Sequence, residues 1–156
     1  MASQPAYRYE LIKLAEKLDK DYYPLTELLC KNARVQAEWL QAHNIDAGAY
    51  LKLCGELNEQ ILFHMAMTKE IIAEFKDNKI ASAILNSADF RRSRKAIERT
   101  LIVIREEATG EKMKDWKEMH ENLKMQLLVL NNLLTELFRI EDADLIPLLE
   151  RHIPLN

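Results

Sequence analysis

Apolar positions recur every three or four residues along nearly the whole chain. No stretch shows the strict alternation of a half-buried strand. The spacing predicts four long helices. The first spans about Asp21 to Ala42, with an inward stripe of Tyr22, Leu25, Leu29, Ala33, Gln36 and Leu40 and with Trp39 beside it. A helical segment from Tyr7 to Lys20, carrying Leu11, Leu14 and Leu18, precedes it. Pro24 lies where the two meet, in the first turn of the second segment or at a kink in one long helix. A turn at HNIDAG, 43–48, offers Asp46 as an N-cap. The next helix runs to Lys76 on Tyr50, Cys54, Leu57, Ile61, His64, Thr68, Ile71 and Phe75, and Asp77-Asn78 ends it.

The third runs from about Ile80 to Glu107 on Ile84, Ser87, Phe90, Arg94, Ile97, Leu101 and Ile104, and Thr109-Gly110 stops it. The fourth begins near Met113 on Trp116, His120, Leu123, Leu127, Leu130, Leu134, Leu137 and Glu141. Pro147 bars a regular continuation, so Asp144 to His152 is expected to fold back or stack beneath. The expected fold is all-α. Its architecture is an up-down-up-down four-helix bundle with an extra N-terminal helical segment and a short C-terminal helix, one domain over 1–156. A swapped dimer of hairpins and an extended coiled coil suit the same pattern.

Composition narrows this picture. In 156 residues there are only three Gly and four Pro, too few for a turn-rich all-β fold. Net charge is −3, against the basic excess that a phosphate backbone demands, so no direct nucleic-acid partner is expected. The longest apolar runs resemble LLVL at 127–130, so no membrane span is expected, and MASQPAYRYELIK shows no signal-peptide core. Cys30 and Cys54 lack C-x-x-C spacing and read as buried free thiols. A cytoplasmic protein is the expectation.

Candidate chemistry lies in polar residues on the apolar stripes. Tyr22, His64 and Thr68 are expected as buried polar groups, with His64 hydrogen-bonded to Tyr22, Thr68 or a backbone carbonyl. A carboxylate-bridged di-metal centre needs about six inward ligands, typically from Glu-x-x-His pairs, and no E-x-x-H occurs. Turns centred near 45, 78 and 111 set His64 level with Leu130. Glu141 then lies roughly 16 Å further along, at 1.5 Å per residue. No metal, no cofactor and no catalytic residue is expected. A nucleophile elbow, a P-loop and a dinucleotide fingerprint are all absent from the sequence.

The run DFRRSRKAIERT, 89–100, spreads Arg91, Arg92, Arg94, Lys95 and Arg99 around its helix. It reads as a solvated face or as a docking stripe for an acidic partner. Arg94 falls on the core stripe and should be paired or should snorkel. Glu141, Asp142 and Asp144 cluster at the end of the fourth helix, with Lys76, Lys79 and the N-terminal lysines expected nearby. They read as a salt-bridge cluster or as an acidic recognition patch.

Two families share residues with this chain. Leu53-Cys54, Leu57, His64 and Glu70 resemble the second-helix signature of the Rsd/AlgQ family of bacterial anti-sigma regulators. Phe138, Glu141-Asp142 and Leu145-Ile146 resemble its fourth-helix motif, and Leu18-Asp19 fits loosely. The segment after the histidine, MAMTKE, departs from that family's aromatic-rich one, and one extra residue separates Asp142 from Leu145. The resemblance implies a non-enzymatic regulator that captures a primary sigma factor and limits transcription. Glu141, Asp142 and Asp144 would meet that basic helical target, and Arg91, Arg92 and Arg94 would serve a second partner. EDADLIPLLE, 141–150, resembles instead the fourth-helix ending of hemerythrin-like proteins. There Tyr22, Thr68 and Leu137 stand where ligands are expected, which implies that the iron chemistry has been lost.

Overall fold

The computed structural model describes residues 7–43, 48–108 and 117–152, and every described element is helical. Helix α1 covers Arg8–Lys17, a π-helical turn covers Leu18–Tyr22, and α2 covers Tyr23–Ala42. Helices α3 (Gly48–Lys76), α4 (Ile80–Ala108), α5 (Lys117–Asp144) and α6 (Ile146–His152) follow. The expected cap at Asp46, the stop at Thr109-Gly110, the start near Met113 and Trp116 lie outside the described residues, as do the side chains of Tyr50 and His120. Among the described residues no helix is long and apolar enough to cross a membrane.

Backbone from Arg8 to Ala42 is one helical path. Tyr23 N–H reaches back to the Leu18 carbonyl, five residues earlier. Pro24, in the first turn of α2, has no N–H with which to continue the ordinary ladder. A π-turn absorbs the interruption without ending the helix, and the Thr26 hydroxyl donates to the Tyr22 carbonyl at 2.7 Å.

The buried face of α2 is not the one that its largest apolar residues suggest. Tyr23, Thr26, Cys30, Ala33, Ala37 and Leu40 point inward, while Leu25 and Trp39 are exposed and Tyr22, Leu29 and Gln36 are half-buried. The inward set is mostly small, which lets the α2 backbone approach α3 and α5, its two main neighbours. The bulky residues are left on the outer side.

Helices α3 and α4 pair antiparallel. Glu74 meets Asn86, His64 meets Ser93 and Gln60 meets Thr100, one number falling as the other rises. Their junction is a Schellman turn. Asn78 takes φ 59°, Asn78 N–H bonds to the Phe75 carbonyl and Lys79 N–H to that of Glu74. Asp77-Asn78 thus ends α3 as its sequence implies. From Cys54 to Phe75 every expected inward residue of α3 is buried, as is every one of α5 from Leu123 to Glu141.

The chain does not fold back after Asp144. Leu145 N–H bonds to Glu141 and Leu149 N–H to Leu145, so the helical path carries on into α6. Pro147 is tolerated because it sits in the first turn of α6. Leu148 and Leu149 are buried there, beside α4.

Candidate functional site

Four inward residues from three helices meet in the core. His64 Nε2 lies 2.7 Å from Glu141 Oε1, and His64 Nδ1 lies 2.7 Å from Ser93 Oγ. Thr68 Oγ1 donates to the His64 carbonyl at 2.9 Å and lies 3.5 Å from Glu141 Oε1. The pair is sealed, with His64 1% exposed and Glu141 0%. Phe90 stacks on the imidazole at 5.0 Å between ring centres, and Phe138 meets it edge-on at 5.5 Å.

The register that separates His64 from Glu141 in the sequence reading is therefore wrong. It assumed a tight α4–α5 turn near 111. The observed register differs, because Arg94 pairs with Asp142, symmetric about 118. That offset slides α5 along α4 until Glu141 is level with His64. The imidazole is hydrogen-bonded to Ser93 and Glu141, and not to Tyr22, Thr68 or a backbone carbonyl, the partners that the sequence suggests. Half-buried Tyr22 is displaced from the interior by Tyr23, the residue on the far side of the π-turn.

Serine, histidine and glutamate in line look like the parts of a hydrolase, but the protons run the wrong way. Ser93 Oγ donates its single hydrogen to the Phe90 carbonyl at 2.7 Å. It therefore accepts from His64 Nδ1–H, and His64 cannot also take a proton from it. In nucleophilic catalysis the imidazole must draw the hydroxyl proton. Ser93 is also buried, at 5% exposed. Nε2 and Oε1 hydrogen-bond to each other, and the unit acts as a polar clamp joining α3, α4 and α5.

Two further atoms complete this region. Tyr23 Oη and Glu141 Oε2 are buried with no hydrogen-bond partner among the described residues. Burial, and next the charge of Glu141, push the Tyr23 phenol well above its usual 10.0, with the Thr68 hydroxyl acting in the opposite direction. Among the described residues no three His, Cys, Asp or Glu side chains gather as metal ligands would. One imidazole and one carboxylate, already bonded to each other, do not fit a di-iron set of about six ligands.

Asp142, adjacent to the clamp, reaches the surface. It takes both guanidinium nitrogens of Arg94, at 2.6 and 2.9 Å, and Glu98 lies 3.6 Å from the same arginine. The guanidinium also rests 4.6 Å from the centre of the Phe138 ring. Hydrogen bonding to Arg94 holds the Asp142 carboxyl below its usual range. So two expected partner contacts, Arg94 and Asp142, are spent on each other, and a third, Glu141, is buried. Arg94 belongs at the α4–α5 seam, and the inward position one residue before it goes to Ser93, which the pattern missed because serine carries no apolar signal. Of the acidic cluster Asp144 stays exposed and makes no ion pair among the described residues. It lines a cleft with Lys13, Lys17 and Arg151, so the N-terminal lysines are its neighbours as expected, while Lys76 borders a different cleft beside Tyr23.

Arg91 and Arg92 stand on the outer face of α4, with Arg92 paired to Asp89. Sparse contact between α4 and α5 leaves a groove of about 520 Å³ lined by Arg94, Leu101, Ile102, Thr135 and Phe138. The chain matches no protein-family model, no curated protein and no solved structure.

Proposed function

We propose that this chain is a non-enzymatic, cytoplasmic regulatory protein of the Rsd/AlgQ anti-sigma kind, built as an up-down-up-down four-helix bundle. It captures the promoter-recognising domain of a primary sigma factor and so limits transcription. One observation carries the reading. Leu25, Leu28, Val35 and Trp39 form a single exposed stripe on α2, and Met125, Leu128 and Val129 form another on the neighbouring α5. At 100° per residue the α2 stripe points directly away from the buried face. Exposed apolar stripes on two adjacent helices suit a protein-capture surface.

Apolar anchors supply most of the affinity in such a complex, and charge sets encounter and register. With Glu141 buried and Asp142 paired, steering of a basic helical target falls to Asp21, Glu27 and Asp144. These are exposed and make no ion pair among the described residues. The test is transcription in vitro. Added protein should lower transcript yield from a promoter served by the primary sigma factor, and Leu28→Asp with Val35→Asp should abolish the effect. Undiminished transcription at saturating protein would overturn the proposal.

A hemerythrin-like iron protein is the second reading. It rests on the resemblance of EDADLIPLLE, 141–150, because His64 and Glu141 alone fall short of its ligand set. Metal analysis of protein from an iron-supplemented culture tests it: two irons per chain select this reading, and none removes it and leaves the first standing.

A further inference from the structure

We infer that the outer face of α4 docks an acidic amphipathic helix of a second protein. This goes beyond the sigma-type target, which the exposed stripes of α2 and α5 would take. Helix α4 buries Ala83, Ser87, Phe90, Ser93, Ile97, Leu101 and Ile104. On the opposite side, at 100° per residue, lie Leu85, Arg91, Arg92, Lys95, Arg99, Ile102 and Val103.

The acids beside the cations, Asp89 and Glu98, do not neutralise this strip, and exposed Glu106 lies beyond its far end. Asp89 is taken by Arg92 and Glu98 leans on Arg94, which has turned into the α4–α5 seam. Arg91, Lys95 and Arg99, spaced i, i+4 and i+8, are exposed and make no ion pair or hydrogen bond among the described residues. A chain of net charge −3 thus concentrates uncompensated positive charge on one strip.

Apolar side chains bracket the strip. Leu85 is 77% exposed at one end, and Ile102 and Val103 are 46% and 41% exposed at the other. From Leu85 to Val103 the face runs about 27 Å at 1.5 Å per residue. Apolar ends with a cationic middle repeating at one helical turn call for a rod of the same pitch. A partner helix with carboxylates at i, i+4 and i+8 and apolar residues at its ends would meet every group. Nucleic acid would use the cations and leave Leu85, Ile102 and Val103 against water. A lipid surface needs a broad apolar face, where this strip has apolar residues only at its extremities.

The test uses the full chain and a fluorescent synthetic helix of about 20 residues, long enough to span the face. It carries glutamates at one-turn spacing between terminal leucines, and binding is read by anisotropy. We expect saturable binding that weakens as salt rises from about 0.05 to 0.3 M. Reversing Arg91, Lys95 and Arg99 to Glu should weaken it about tenfold or more, and Leu85→Ala should weaken it at constant salt dependence. Lys52→Glu, a charge reversal on α3, should leave it unchanged. Absence of binding, equal loss in Lys52→Glu, or tighter binding of a single-stranded oligonucleotide or of phosphatidylserine vesicles through the same residues would overturn the assignment. Self-association abolished by the same reversals would also overturn it.

Discussion

His64 Nε2 and Glu141 Oε1, 77 residues apart in sequence, hydrogen-bond to each other across 2.7 Å in the buried core. Each is the other's nearest partner at these atoms, with Thr68 Oγ1 further off at 3.5 Å and the Phe90 and Phe138 rings packed on the imidazole. The consequence for stability is direct. Glu141→Ala leaves Nε2 unpaired beside a new cavity and should cost about 3–5 kcal/mol in chemical denaturation. Replacing both residues by leucine should cost less than the sum of the single replacements by about 2 kcal/mol, because neither partner is then stranded. Strict additivity would show that the two side chains do not act as a pair.

The Arg94–Asp142 pair is a different kind of contact, half in water, and should behave so. Its hydrogen bonds lower the Asp142 pKa from the ordinary 3.8, so in the folded state the carboxylate persists to lower pH than in the unfolded chain. The stabilisation is therefore complete above about pH 4 and drains away as pH falls through the folded value. Solvent screening keeps it below about 1 kcal/mol. Comparing denaturation of the native protein and Asp142→Asn between pH 2 and 6 should show a gap that closes on the acid side. A gap that widens there would reverse the sign of the linkage.

Both cysteines should be silent in the native state. Burial pushes the Cys30 thiol up to about 12, with Cys54 adding to it, and the Cys54 thiol up to about 11. Thiolate is the reactive form, so a colorimetric thiol reagent at pH 8 should find no fast-reacting group until denaturant is added, and then two. Rapid native reaction would place either thiol in a more open setting.

The orientation of α2 gives a pair of opposite outcomes. Ala33→Leu should cost about 1–3 kcal/mol by overpacking the approach to its neighbours. Val35→Asp, on the outward stripe, should stay within about 0.5 kcal/mol of the parent by thermal or chemical melting. The reverse ranking would restore the orientation that apolar bulk alone suggests.

That last contrast shows how far the sequence could be read. Leu57, Ile61, His64, Ile71 and Phe75 on α3, and Leu127, Leu130, Leu134, Leu137 and Glu141 on α5, are visible as stripes because their buried faces are made of large apolar residues. The face of α2 is hidden because its interior is built from Thr26, Cys30, Ala33 and Ala37, where close approach favours small side chains over apolar bulk. Ser93 is hidden for the same reason. The meeting of His64 and Glu141 depends on how far α5 slides past α4, a global register that no local period encodes. Only the polarity of both residues on otherwise apolar stripes marked them in advance, since a buried histidine and a buried glutamate each need a partner.

Calorimetric titration of the purified chain with the isolated promoter-recognising domain of a primary sigma factor tests the central claim most directly. The account predicts a one-to-one complex of micromolar or tighter affinity. Leu28→Asp with Val35→Asp should abolish it, and Asp142→Asn should leave it intact. No heat of binding from the folded parent protein, or binding indifferent to the α2 stripe, would contradict it.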